Sequence, residues 1–245
     1  MKKMILLFLC GIITNSSYAQ GGFFENWAIG LNGGLYGYGI QGATSLAPNF
    51  KARIGFDFMS YTYKEAIDFD ADAVKNGEFS DYTISGEFST AKLKFPNAKA
   101  MIDYYPMKTG IFCFTVGAYF GNNNISLDGK IYDYDQYSDN PNIGFDDVVI
   151  QPNSDGSFNA KLKLGNFAKP YFGIGLGRTI PKSRVGFKFE LGVVYQGEFL
   201  LESENSVSHN GYNTNDLLND FDLPVSKNIL KLWPMMNFTL SYRIK

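Results

Sequence analysis

The chain has 245 residues, with 22 Lys plus Arg against 24 Asp plus Glu, and it is rich in Phe (22), Tyr (16) and Gly (26). So mild a charge excludes a nucleic-acid partner held through its phosphates. Two cysteines exclude a disulfide-built scaffold, and no stretch after Gln20 has the run of ~20 apolar residues that a membrane-spanning helix needs.

Lys2 and Lys3, the apolar run Met4 to Ile13 and the close Ser17-Tyr18-Ala19 predict a secretory signal peptide over residues 1–19. Cys10 follows Leu9 rather than a small residue, so it reads as part of the apolar run and not as a lipid attachment point. The mature chain is then a single domain, residues 20–245, with Cys113 as its one cysteine.

Apolar alternation at period 2 then recurs over segments of membrane-crossing length. Phe50, Ala52, Ile54, Phe56 and Phe58 share one face, against Lys51, Arg53, Gly55 and Asp57. The same scheme is carried by Phe112, Phe114, Val116, Ala118 and Phe120, and again by Val185, Phe187, Phe189, Leu191, Val193 and Tyr195. The last segment sets Leu230, Leu232, Pro234, Met236, Phe238, Leu240, Tyr242 and Ile244 opposite Lys231, Trp233, Asn237, Thr239, Ser241 and Arg243. A soluble sandwich also alternates, but its polar face carries many long charged side chains. Here Gly, Ser, Thr and Asn with a few opposite charges suit a crowded barrel interior.

The expected fold is all-β: a closed antiparallel transmembrane β-barrel with short periplasmic turns and long outer loops. Its strands are placed at 24–34, 36–47, 51–64, 82–105, 111–127, 157–177, 184–202 and 228–245. Short turns are expected near residues 47–50, 107–110 and 178–184, and long loops near 65–81, 128–155 and 198–222. The segment 82–105 is too long for one plain strand, and its parity shifts. A bulge near Pro96-Asn97 would repair it, and a ten-strand barrel that splits this segment is the alternative. Aromatic girdles are expected at the membrane boundaries, with Tyr104, Tyr105, Tyr171, Trp233 and Tyr242 low down and Tyr61, Tyr63, Tyr119 and Tyr195 towards the outer side.

Asp103-Tyr-Tyr-Pro106, Phe112-x-Phe114-x-x-Gly117-x-Tyr119, Lys169-Pro-Tyr-Phe-Gly-Ile-Gly175 and the closing Asn237-Phe-Thr-Leu-Ser-Tyr-Arg243 resemble the small outer-membrane barrels of Gram-negative bacteria. That group contains the OmpA transmembrane domain, OmpX and OmpW. The resemblance implies an outer-membrane location, and through OmpW it implies a channel for small or lipophilic solutes as one possible role.

Gly37-Tyr-Gly39-Ile-Gln-Gly42 matches a dinucleotide pattern, but a strand and not a helix follows it, so no nucleotide is expected there. The interior-facing charges Arg53, Asp57, Asp103, Lys188, Glu190, Lys231 and Arg243 are expected to pair, because isolated buried charges are costly. They form a structural plug or, if the pairs rearrange, a gate.

The three long loops hold most of the acidic residues. Asp133, Asp135, Asp139, Asp146 and Asp147, beside Tyr132, Tyr134 and Tyr137, could contact an external partner or a divalent cation. His209, the one histidine, lies in the last loop as a weak candidate for lipid-A chemistry of the Ser/His kind. No cofactor or resident metal is expected. The partners expected are outer-membrane lipid and lipopolysaccharide, and the chain is expected to be a monomer. The leading reading is a barrel with a filled interior and a structural or surface-interaction role.

Overall fold

A computed structural model describes residues 24–75, 78–107, 109–137, 141–145, 148–197, 199–202, 212–213 and 231–244. The expected signal peptide and His209 lie outside them. The strands are β1 (Trp27–Gly34), β2 (Gly37–Ala47), β3 (Phe50–Tyr63), β4 (Ile67–Lys75), β5 (Glu78–Tyr104), β6 (Phe112–Phe120), β7 (Asn124–Ile131) and β8 (Asn142–Phe145). They continue as β9 (Val148–Ile150), β10 (Ser157–Leu164), β11 (Ala168–Gly177), β12 (Val185–Tyr195), β13 (Phe199–Glu202), β14 (Tyr212–Asn213) and β15 (Leu232–Arg243). A 3-10 turn at Tyr134–Gln136 is the one helical element among the described residues.

All fifteen strands belong to one antiparallel sheet, so the total differs from the expected eight. Within it, hydrogen bonding closes into a ring that runs β1–β2–β3–β5–β6–β11–β12–β15 and returns to β1. A closed ring leaves no unpaired edge along its course. The start of β1 and the end of β15 sit at one rim, where Ala28 pairs with Arg243.

Three of the expected strands are each broken in two. Residues 111–127 divide into β6 and β7, 157–177 into β10 and β11, and 184–202 into β12 and β13. Two of the breaks turn on glycines in the left-handed region, Gly165 (φ 84°) and Gly197 (φ 86°), where a Cβ would be strained. Beyond the breaks the upper halves pair among themselves, β5 with β7, β7 with β10 and β10 with β13. The sheet thus continues past the ring.

The expected loop 65–81 is a hairpin instead: β4 pairs with the extended start of β5, Ile67 opposite Phe88. Its sequence alternates Phe69, Ala71 and Ala73 with Asp68, Asp70 and Asp72, and the apolar set packs inward. The expected loop 128–155 likewise contains β8 and β9. With Ile84, Ile131, Tyr134, Ile143, Ile150 and Phe158, these residues form a small second core beyond the ring.

β5 is one continuous strand of 27 residues, so the ten-strand alternative that splits it is overturned. Its register with β3 runs unbroken from Phe50 opposite Tyr104 to Tyr63 opposite Ala91, without a bulge at Pro96-Asn97. The irregularity falls between Phe88 and Thr90. That single extra residue turns inward parity from even (Ile84, Phe88) to odd (Leu93, Phe95, Met101, Asp103), which accounts for the shift in the sequence. Ile102 and Tyr104 face outward.

The ring is inside-out relative to a soluble protein. Ile54 is 69% exposed and Phe187 74%, whereas Arg53 is 3% and Glu190 1% exposed. Water around the outer face would leave a continuous apolar belt uncovered, far larger than a soluble monomer tolerates.

Candidate functional site: the filled interior of the ring

The inward positions of the ring strands converge on a buried ionic cluster. Arg53 on β3 lies 3.2 Å from an Asp103 carboxylate oxygen through its Nε, and its Nη2 pairs with Glu190 Oε2. Lys188 Nζ reaches the same two acids, at 2.9 Å from Asp103 Oδ1 and 2.8 Å from Glu190 Oε2. Two cations therefore bridge two carboxylates from three strands, β3, β5 and two positions of β12. Side-chain hydroxyls add further donors. Thr115 Oγ1 donates to Asp103 Oδ1 at 2.6 Å, Tyr171 Oη donates to Glu190 Oε1 at 2.7 Å, and Thr179 Oγ1 donates to Asp103 Oδ2. Hydrogen bonds of this kind help make ion pairs tolerable away from water.

Thr179 belongs to the short turn after β11, yet it is buried, and its N–H donates to Tyr105 Oη at 2.8 Å. The turn thereby folds into the rim where β1 begins and β15 ends. Cys113 is fully buried beside this cluster, as its parity implies.

A second pair joins Lys99 to Asp57 at 2.9 Å, with Asn32 Nδ2 donating to the same carboxylate at 2.5 Å. Lys169 donates to the Gly121 carbonyl at 2.5 Å and to Asn97 Oδ1 at 3.3 Å. Nearer the opposite rim the filling turns aromatic. Tyr36, from the turn between β1 and β2, meets Phe95 and Tyr119 edge-on at 5.9 and 5.1 Å, and Tyr119 meets Tyr171 at 5.6 Å. Met101, Leu164, Val194 and Met235 complete this layer.

Of the predicted interior charges, Arg53, Asp57, Asp103, Lys188 and Glu190 are brought together. Lys231 and Arg243 are not: Lys231 is only partly buried at the start of the last strand. Arg243, at the opposite end, reaches out to Asn26 Oδ1 at 2.8 Å and the Lys182 carbonyl at 3.3 Å. Both have the right parity, but a long side chain at a strand end extends along the rim towards water.

Lys99 and Lys169 were missed. Lys99 follows from the odd parity of Met101 and Asp103 once no kink is placed at Pro96-Asn97. Lys169 was marked by its place on the parity of Tyr171.

The low girdle needs a similar correction. Tyr104 and Tyr242 face outward, 39% and 45% exposed. Tyr105 and Tyr171 are buried in the interior, and Trp233 packs inward on Phe95 at 6.4 Å. Tyr104 and Tyr105 are neighbours, so period 2 forbids both from facing lipid. Tyr119 is likewise interior, and Tyr61 and Tyr63 lie on the inward parity of β3, exposed above the β1–β2 turn.

In the acidic region, Asp133 (φ 49°) and Asp135 are exposed about the 3-10 turn, beside a surface pocket of about 440 Å³ that includes Tyr132 and Tyr137. Asp139, Asp146 and Asp147 lie outside the described residues. Among the described residues, no three His, Cys, Asp or Glu side chains converge as metal ligands. Tyr132 Oη donates to Asp68 at 2.7 Å and Glu87 at 3.2 Å. Those bonds, Asp68's first, raise its hydroxyl pKa well above the usual phenol range.

Glycine makes room for the cluster. Gly173 and Gly192 are cross-strand partners, and the Tyr171 ring lies over them. A Cβ at Gly173 would stand 2.8 Å from Tyr171 Cζ, and one at Gly192 would stand 2.5 Å from its Cε2. Gly192→Val is expected to displace that ring from Glu190 and to lose about 1–3 kcal/mol of folding stability through overpacking. The urea midpoint of the refolded protein in detergent measures this; an unchanged midpoint would contradict the packing described.

No family model matches the sequence, and no curated protein matches it. Among solved structures, the chain is similar to CarO2 of Acinetobacter baumannii, with 16% identity, a TM-score of 0.50, and coverage of 91% of this chain and 100% of that one. CarO of the same organism aligns at 14% identity and a TM-score of 0.49, over 88% of this chain and 96% of that one. The likeness to CarO2 is one of fold: an all-β antiparallel sheet of matching extent.

Proposed function

We propose that this chain is a transmembrane β-barrel of the bacterial outer membrane whose interior is a structural plug, and that its role is structural or one of surface contact rather than catalysis. The observation that carries the reading is the burial of Arg53, Asp103, Lys188 and Glu190, each no more than 3% exposed although they face the inside of a ring. Water passing through the ring would wet these side chains. The apolar outer belt supports the membrane location, since the face that a barrel turns to lipid is apolar over ~25 Å. On β3 the belt from Phe50 to Phe58 is nine residues long, within the ~9–11 residues with which a tilted strand crosses the hydrocarbon core. The fold shared with CarO2 and the signal-peptide pattern agree with this reading. So does the resemblance to the OmpA, OmpX and OmpW group.

Planar-bilayer recording on the refolded mature protein tests the plug. No stable conductance above a few tens of picosiemens is expected, as for an eight-strand ring filled by side chains. A steady open state would replace the plug with a channel for small solutes. Heat-modifiable migration of the same sample tests the closed sheet itself.

A further inference from the structure

The outward-facing surface just above the apolar belt is cationic, in a chain whose far end is otherwise acidic. On β5, Lys92 and Lys94 flank Leu93; on β10, Lys161 and Lys163 flank Leu162, so the sequence carries Ala-Lys-Leu-Lys twice, at residues 91–94 and 160–163. In both copies the leucine packs towards the interior and the lysines take the other face.

Strand register sets the two copies side by side. Ser60, Lys94, Asn124 and Lys163 are successive cross-strand partners over β3, β5, β7 and β10, and Thr62, Lys92, Ser126 and Lys161 form the next row. With strands ~4.8 Å apart and alternate residues ~7 Å apart, the four lysines occupy a patch of about 7 by 10 Å. Hydroxyl and amide side chains fill the places between them. Asp128 pairs with Lys92 at 2.9 Å, and Glu202 is the register partner of Lys161. The lower row begins one outward position above Phe58 and Pro96, which end the belt on β3 and β5.

We propose that this patch binds the phosphorylated headgroup of an outer-leaflet lipid, the bisphosphorylated glucosamine of lipid A, with lysines on the phosphates and Ser60, Thr62, Asn124 and Ser126 on neighbouring oxygens. The inference rests on the membrane-barrel reading. Depth selects this occupant: a cationic row immediately above a hydrocarbon-facing belt lies at headgroup level, where each lysine adds to anionic-lipid affinity. Free phosphate in bulk water has no reason to prefer that level.

The test uses the full mature protein in an uncharged detergent, with bisphosphorylated lipid A and its dephosphorylated counterpart as probes and native mass spectrometry to count bound lipid. The phosphorylated lipid is expected to bind at least about tenfold more tightly, a preference that 0.5 M salt weakens. Lys92→Ser, Lys94→Ser, Lys161→Ser and Lys163→Ser combined are expected to abolish the preference. Lys182→Ser with Arg184→Ser, at the opposite rim, is expected to leave it intact.

Equal binding of the two lipids by the wild-type protein overturns the proposal, and so does an unchanged preference in the fourfold variant. Displacement of the lipid by 10 mM inorganic phosphate as readily as by lipid A would name free phosphate as the ligand and overturn it too. If the fourfold variant does not fold, the wild-type comparison of the two lipids decides alone. A heat-modifiable barrel without lipid preference removes this inference only, whereas a mature chain that stays monomeric in water without detergent removes the membrane reading with it.

Discussion

Arg53→Ala is expected to lower folding stability by about 3–5 kcal/mol, because it leaves two buried carboxylates with one cation between them. In the intact protein Arg53 contacts both Asp103 and Glu190, and Lys188 contacts the same two acids. With the guanidinium gone, Lys188 cannot neutralise both, and water cannot reach them through the packed ring to compensate. Pairing Arg53→Met with Glu190→Gln removes one charge of each sign and is expected to recover more than half of the loss, a non-additivity that a double-mutant cycle reads directly.

The measurement is the urea midpoint of the folded fraction in detergent, scored by heat-modifiable migration. A loss below about 1 kcal/mol accompanied by new bilayer conductance would mean that the cluster rearranges without cost to the fold, the behaviour of a gate.

The ring was legible in the sequence because a strand's period is 2, and a surface apolar on one face writes that period plainly at Phe50 to Phe58 and Val185 to Tyr195. What lay beyond the ring was not. Ile67 to Val74 alternates apolar residues with Asp68, Asp70 and Asp72, yet so many acids read as a solvated loop. A strand whose outer face meets water rather than lipid carries charge there, and the alternation was the better guide. Position along the strand, by contrast, does not follow from parity. Arg53 and Arg243 share the inward parity of their strands, but Arg53 lies three residues inside the start of β3 and is buried while Arg243 ends β15 and reaches Asn26 at the rim. The partners of each charge depended on which strands are neighbours around the ring, and the pairing of β6 with both β5 and β11 is a property of closure that no local stretch encodes.

The aromatic layer yields the second large effect. Tyr36→Ala is expected to cost about 3–5 kcal/mol, the range for truncating a large buried aromatic side chain. Tyr36 occupies a two-residue turn between β1 and β2, a place where side chains ordinarily meet solvent, and yet it is only 1% exposed. Its ring closes the interior from the rim opposite the start of β1 and the end of β15. Through Tyr119 it bears on Tyr171, whose hydroxyl holds Glu190 in the ionic cluster.

Truncation therefore removes edge-to-face contacts with Phe95 and Tyr119 and slackens the support of Tyr171. Tyr36→Phe keeps the ring and is expected to stay within about 1 kcal/mol of wild type, the net worth of an ordinary hydrogen bond. The urea midpoints of the two variants separate ring packing from any role of the hydroxyl. If Tyr36→Phe is as damaging as Tyr36→Ala, the hydroxyl and not the ring holds this end of the plug. If Tyr36→Ala is harmless, the turn residue is a bystander, and the seal at that rim must come from the layer of Met101, Leu164, Val194 and Met235 beneath it.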